Sequence, residues 1–457
     1  MPPVLRPYQR AAVDAALASL RKKKNGIIVA PTGSGKSLLV ASIAKEAGGR
    51  TIVLQPTKEI LEQNKAKMEA FGCRDIGVYS ASCGRKDVGQ VTFATIGSVV
   101  KRPEVFKDFD RIIVDEAHGV NSKGGMYEKF IKGLGLQTIG LTATPYRMRS
   151  YNHYSGNRVA ESRILTRTRP RIFSDMLHVT QVGELFEQGH LCPLQYQCVD
   201  GYDATEIRSN STGQDFDESA LKQYNEAKGI VDKIVASVRM SQARHLLVFT
   251  MFRAESARVL DQLGRYGISC AEVSGETPKR DRERILADFK AGRIRCVVNV
   301  AVLTVGFDFP ALDCIVIGRP TKSVALFYQI VGRGIRPSPG KDGCRLIDLC
   351  DNVRRFGRIE TFELFDQNGN GMWRLKSNAG FLTGADVTTG ENLETFVKKP
   401  KDKPDGGTTV TFGKYKGKPL SEVPLDYLEW GVGAFDNKMW RGRFAKEIRR
   451  RGIEVAL

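Results

Sequence analysis

Five short runs, "GIIVA" (26–30), "TIVLQ" (51–55), "VTFAT" (91–95), "RIIVDEA" (111–117) and "TIGLTAT" (138–144), are apolar almost throughout and are separated by stretches with helical spacing. Strands of that kind are buried on both faces, so they belong in a parallel sheet covered by helices. A second series follows: "LLVFT" (246–250), "CAEVSG" (270–275), "CVVNVA" (296–301), "CIVIG" (314–318) and "CRLIDL" (344–349). Two α/β parallel-sheet domains in tandem are therefore expected, alike in architecture but not in sequence. The chain, 457 residues long, exceeds one compact domain and has room for a third unit.

The expected boundaries are 1–175 for the first domain and 176–365 for the second. The Arg-rich segment 151–173 reads as a connector or surface excursion. An extension and linker fill 366–407, within which "KKPKDKPDGG" (398–407) has no means of packing. A small basic and aromatic C-terminal domain, 408–457, completes the chain.

Lys and Arg number 70 against 51 Asp and Glu, a formal charge of +19 that fits a polyanionic partner, nucleic acid first. Nine cysteines include no CxxC pair, which removes zinc ribbons and dithiol redox motifs from consideration. The N-terminus lacks a signal-type apolar core and no run approaches a membrane span. A cytoplasmic protein without a membrane partner is expected.

The strand "GIIVA" leads into "APTGSGKS" (30–37) and then into a helical pattern. Such a loop turns backbone N–H groups and a helix N-terminus toward phosphates. Thr32, Gly33, Ser34 and Gly35 shape the cradle, Lys36 reaches the terminal phosphates, and the Ser37 hydroxyl suits Mg²⁺. Ala30 stands where the usual pattern has a glycine. Asp115 and Glu116 end another apolar strand, at the sheet edge where parallel sheets bind ligands. Asp115 suits the metal, and Glu116 the attacking water. In "YQIVGRGIRP" (328–337), Gln329, Arg333 and Arg336 form a third cluster, with the two arginines expected on one helix face. "DQNGNG" (366–371) imitates a calcium loop, but Ser377 stands where a bidentate Glu is required, so a turn-rich loop is expected.

In their order these motifs resemble superfamily 2 helicases of the DEAH-containing, XPB-like branch, across roughly residues 5 to 350. "LRPYQ" (5–9) is similar to the adenine-reading Gln motif, with Gln9 the reader, and Ala commonly opens the phosphate loop in that superfamily. "QPTKEIL" (55–61), "FATIGS" (93–98), "DEAH" (115–118), "TAT" (142–144), "LLVFTMF" (246–252), "VLTVGFDFP" (302–310) and "QIVGRGIR" (329–336) resemble the remaining motifs. The resemblance implies two RecA-like domains with ATP and Mg²⁺ between them. It implies nucleic-acid backbone contacts from Pro56, Thr57, Thr95, Thr250 and Thr304. Gly306 and Asp308 would bind nucleotide and link it to the strand. His118 would couple to Gln329, and Thr142 and Thr144 would serve the same coupling.

The segment from "TATPYRM" through "GELFEQGHLCP" (183–193) is similar to DNA-acting bacterial and phage members, including the UvsW-like branch. An ATP-dependent DNA helicase or translocase that remodels forked or branched DNA is the expected function, in a bacterial or phage-infected cytoplasm. RNA helicase activity and a nucleotide-gated DNA clamp are the alternatives. The segment 411–431 resembles a small domain of unknown function found in phage and bacterial helicases and exonucleases. Its lysines and aromatics fit either a nucleic-acid surface or a tiny core, and a docked protein is a further partner it would suit. A monomer is expected.

Overall fold

The computed structural model describes residues 4–152, 158–300, 302, 308–384, 410–411, 413–434 and 438–451. Up to residue 393 the chain forms one compact unit, and residues 394–457 form another.

The first sheet contains β1 (Gly26–Val29), β2 (Thr51–Gln55), β3 (Ile76–Ser80), β4 (Arg85–Lys86), β5 (Val91–Thr95), β6 (Arg111–Asp115) and β7 (Gln137–Thr142). After an antiparallel hairpin, β8 (Tyr146–Asn152) and β9 (Arg158–Ile164), the sheet gains β10 (Asp175–Val179). Its order is β10-β1-β7-β6-β2-β5-β3-β4, parallel except for the short β4. The alternation along each strand assigns its two faces. Ile28, Val53, Ile113 and Ile139 pack beneath α1 (Pro7–Arg21), α2 (Lys36–Glu46) and α3 (Lys58–Ala70), against Val13, Ile43, Leu61 and Met68. Ile27, Ile52, Leu54, Ile112 and Val114 face the opposite core, with Phe106 and Phe130.

The second sheet holds β11 (Leu194–Cys198), β12 (Leu246–Thr250), β13 (Cys270–Val273), β14 (Cys296–Val300), β15 (Cys314–Gly318) and β16 (Cys344–Asp348). Its order is β11-β16-β15-β12-β14-β13, parallel throughout. Both sheets are of the RecA-like α/β kind expected. All nine cysteines are free, and no helix among the described residues is long and apolar enough to cross a membrane.

The boundaries differ from the sequence reading in three places. β10 pairs with β1, so the first domain runs beyond residue 175. The segment 151–173 is no simple connector. It contributes β9, and Ile164, Leu165 and Phe173 are buried in the core. Residues 363–381 form a three-stranded antiparallel sheet, β17 (Glu363–Asp366), β18 (Trp373–Ser377) and β19 (Gly380–Phe381), whose Leu364 and Leu375 join the main core. Gln181 fastens it, exchanging hydrogen bonds with the Leu364 backbone at 2.6 and 3.1 Å. The calcium-like "DQNGNG" is the turn of that hairpin, with Asp366 accepting from the Gly371 and Met372 N–H groups. The linker 398–407 lies outside the described residues.

The C-terminal unit has a core of its own. Helices Leu425–Ala434 and Lys438–Arg450 close over Val410, Leu420, Leu428, Trp440, Phe444 and Ile448. Arg451 donates to the carbonyls of Leu420, Ser421 and Val423, tying the last helix to the first turn. Trp440 is thus a core residue, whereas Trp430 is 52% exposed beside Tyr427.

Candidate active site

Strand order creates the site. β1, β7 and β6 are neighbours, so the residues after Val29, Thr142 and Asp115 emerge side by side at one sheet edge. The loop after β1 bends through Gly33 (φ 85°) and Gly35 (φ 88°), a region closed to most side chains. Space is short as well. A Cβ on Gly35 would stand 2.6 Å from Gln9 Nε2, and one on Gly33 would stand 2.9 Å from Leu191 Cδ2. The Gln9 amide N–H donates to the Ser34 carbonyl at 2.8 Å, and the Tyr8 hydroxyl donates to the same oxygen at 3.0 Å. Gln9 therefore braces the loop that α2 follows.

Lys36, first residue of α2, holds Glu116 at 2.5 Å. Glu116 has φ 51° and ψ 52°, a left-handed conformation costing about 1–2 kcal/mol for a side chain of this type. That turn aims its carboxylate at the crevice instead of continuing the strand direction. Burial disfavours the charge of both acidic residues. For Asp115, burial and then the neighbouring Glu116 raise the pKa to about 6. For Glu116, Lys36 and His118 outweigh burial and hold the pKa below the ordinary carboxylate range. One Asp115 oxygen accepts the Glu116 N–H at 3.0 Å, and the other accepts the Asn64 amide at 3.0 Å.

The second domain reaches the same crevice. Helix Val324–Val331 carries Gln329, whose amide donates to His118 Nε2 at 3.1 Å. The other ring nitrogen, Nδ1, faces Thr142 Oγ1 at 3.0 Å and Glu116 Oε2 at 3.3 Å. Thr142 Oγ1 also accepts the Thr144 N–H at 3.0 Å. A chain of polar contacts thus runs from the second domain through His118 to Glu116. Arg333 and Arg336 line the same cavity of about 320 Å³ as Lys36, Ser37, Asp115 and Glu116. They do not sit on a helix face as expected. The helix ends at Val331 with Gly332 as its C-cap, and neither Gly332 nor Gly334 has room for a side chain: a Cβ would stand 2.9 Å from the Tyr328 carbonyl at the first and 2.6 Å from Cys344 Sγ at the second. Burial, and then Arg336, lower the Arg333 pKa to about 10. Arg336 pairs with Asp308.

The residues fit a nucleotide and its metal. The loop glycines leave a cradle that Cβ atoms would fill, the buried Ser34 Oγ has no hydrogen-bond partner, and Ser37 and Asp115 supply hard oxygen donors.

The residues expected along the nucleic-acid track are placed unequally. Thr57, behind Pro56, caps α3 by accepting the Ile60 N–H at 3.4 Å. Thr95 Oγ1 is shared between Ser80 and Ser98, each at 3.0 Å. Thr250 is fully buried, its hydroxyl under the surface, so no phosphate reaches it in this arrangement. Thr304 and Gly306 lie outside the described residues. Asn64, Lys67 and Leu191 touch the site and escaped sequence reading, since nothing in their local pattern sets them apart from helix or loop surface.

Two family models divide the main unit between them. "Type III restriction enzyme, res subunit" matches residues 3–147, and "Helicase conserved C-terminal domain" matches residues 227–338. With the relatives that follow, they place the chain among the superfamily 2 helicases, as an ATP-hydrolysing enzyme.

A "51.5 kDa protein" of a Lactococcus phage is 26% identical over 363 residues, 78% of this chain and 72% of the phage protein. IRC3 of Saccharomyces cerevisiae is 28% identical over 375 residues, covering 76% of this chain and 51% of its own length. The "DNA 3'-5' translocase XPB2" of Sulfurisphaera tokodaii is 26% identical over 365 residues, 73% of this chain and 78% of that protein. The chain thus spans about half the length of some curated relatives and over two thirds of others. A DNA-bound Type ISP restriction-modification enzyme, LlaBIII, shares the fold with a TM-score of 0.55, at 17% identity over 77% of this chain and 28% of that one.

Proposed function

We propose that this chain is an ATP-driven motor on DNA, belonging to the DEAH-containing, XPB-like and phage UvsW-like branch, and that it remodels forked or branched DNA. The observation that supports this most is the path from Gln329 through His118 to Glu116. It ties the residue aimed at water to the relative position of two domains, which is what coupling hydrolysis to movement requires.

Lys36 would leave Glu116 to hold the terminal phosphates, and Ser37 and Asp115 would hold Mg²⁺, which when bound would neutralise phosphate charge. Glu116, released, orients and deprotonates water. Arg333 and Arg336 arrive from the second domain to balance charge on the transferring phosphoryl group. Pro56, Thr57 and Thr95 grip the strand through its backbone, without reading sequence. The names of the XPB relatives support DNA as the track and 3′ to 5′ as the direction.

The test is displacement of a triplex-forming strand from duplex DNA with ATP, in the wild type and in Glu116→Gln. Displacement in the wild type alone supports a motor. DNA-stimulated hydrolysis without displacement would make it a clamp, and stimulation by RNA alone would move it to the RNA helicases.

A further inference from the structure

One wall of the cavity is made by α3. Ile60, Gln63, Asn64 and Lys67 recur at the spacing of one helical face, and all line the cavity. Asn64 is buried, and its amide holds the Asp115 oxygen that the Glu116 backbone does not. With both oxygens engaged, the plane of that carboxylate is fixed. Three residues on, the exposed Lys67 sets its ammonium on Ser37 Oγ at 3.2 Å. Both oxygen donors suited to the metal therefore have an α3 side chain on them. The same helix begins at Thr57, whose backbone and hydroxyl form its N-terminal cap. Seven residues of helix, about 10 Å, separate that cap from Asn64.

Resting on the motor reading above, we infer that Asn64 is the positioning residue of the metal-binding carboxylate, that Lys67 competes with the cation for Ser37, and that α3 makes metal affinity respond to nucleic acid at Thr57. A helix is stiff along its axis, so a phosphate drawn onto its first turn moves Asn64 and Lys67 with it. Side chains that orient a metal ligand commonly govern metal affinity by 10–100-fold.

The experiment titrates Mg²⁺ into the full chain with a fluorescent ATP analogue, reading binding rather than turnover, with and without a DNA oligonucleotide. Asn64→Ala should raise the half-saturating Mg²⁺ about tenfold or more, while metal-free nucleotide affinity, which also reports a folded loop, stays as in the wild type. Lys67→Gln alters an exposed side chain and folds regardless. Without DNA it should lower half-saturating Mg²⁺ severalfold. In the wild type DNA should lower it too, and Lys67→Gln should lose that shift. Mg²⁺ curves for Asn64→Ala and Lys67→Gln that superimpose on the wild type would overturn the inference. Should Asn64→Ala lose metal-free nucleotide binding, Lys67→Gln decides alone. A wild type whose Mg²⁺ affinity ignores DNA would overturn the α3 link. A wild type whose ATP hydrolysis ignores DNA would instead overturn the motor reading.

Discussion

Replacing Glu116 by glutamine should do two things of opposite sign, and the structure sets the size of each. Before nucleotide arrives, Lys36 is bonded to Glu116 at 2.5 Å, with only 16% and 22% of the two side chains exposed. A hydrogen bond between charged groups contributes about 1.5–3 kcal/mol, and a fully exposed pair about 0.2–1. For a pair this sheltered, about 1.5 kcal/mol is a reasonable value. Phosphate must take Lys36 away from Glu116, so that contribution opposes binding. Glutamine keeps an acceptor for Lys36 but removes the ionic part, so ATP affinity should rise, by about tenfold at most. Hydrolysis should fall by about 10²–10⁴, the usual worth of a positioned general base.

The assay is a fluorescent-nucleotide titration beside steady-state ATPase. Removing any negative charge near a triphosphate also helps binding, so the same substitution is made in a Lys36→Ala background. There the gain in affinity should shrink to that through-space part, and the difference isolates the ion pair. Unchanged hydrolysis would remove Glu116 from the chemistry. Lost hydrolysis with unchanged affinity would mean that Glu116 does not restrain Lys36 in the free protein.

Arg336→Ala should lower kcat by about 10³ or more and change ATP affinity only a fewfold, since it serves the transferring phosphoryl group; equal losses in both would make it a ground-state binder. Lys341 donates to the carbonyls of Pro310, Gly334 and Arg336 at 2.9, 2.7 and 3.0 Å, so it staples the loop that carries both arginines. Lys341→Met should destabilise by about 2–3 kcal/mol in denaturant melts and lower kcat in the direction of Arg336→Ala; a wild-type kcat would show that the loop holds its shape without the staple. The C-terminal unit has its own core, so a chain ending at Pro404 should keep basal ATPase, bind forked DNA more weakly and show a shallower salt dependence. Equal affinity and salt slope would assign that unit to protein docking or stability.

The two sheets were legible because a strand buried on both faces is apolar at every position, as in "GIIVA" and "CIVIG". The strand Leu194–Cys198 escaped because it is an edge. Its sequence LQYQC leaves two glutamines exposed and carries no continuous apolar signal. The same holds for Glu363–Asp366 and Trp373–Ser377, where Gly and Asn in the turn outweighed two short strands. Motif residues could be read because their chemistry depends on local spacing, as with Gly33, Gly35 and Lys36 on one loop.

Spacing cannot report what tertiary structure brings together. Asn64 meets Asp115 across 51 residues, and Gln329 meets His118 across 211. Asn64 sits among charged helix-surface residues, and only the packing of α3 against the sheet makes it a partner of Asp115. The two cases differ in how they became visible. Gln329 belongs to an entire ordered set of motifs, whereas Asn64 belongs to none and is marked only by the fold. A side chain that acts by orienting another leaves little trace in a single sequence, because many residue types fit its helix and only the hydrogen bond selects one. For this chain the consequence is specific: most of the residues that line the cavity are readable from the sequence, while Asn64 and Lys67 of α3, the two proposed to govern the metal, are marked only by a hydrogen bond each to Asp115 and Ser37.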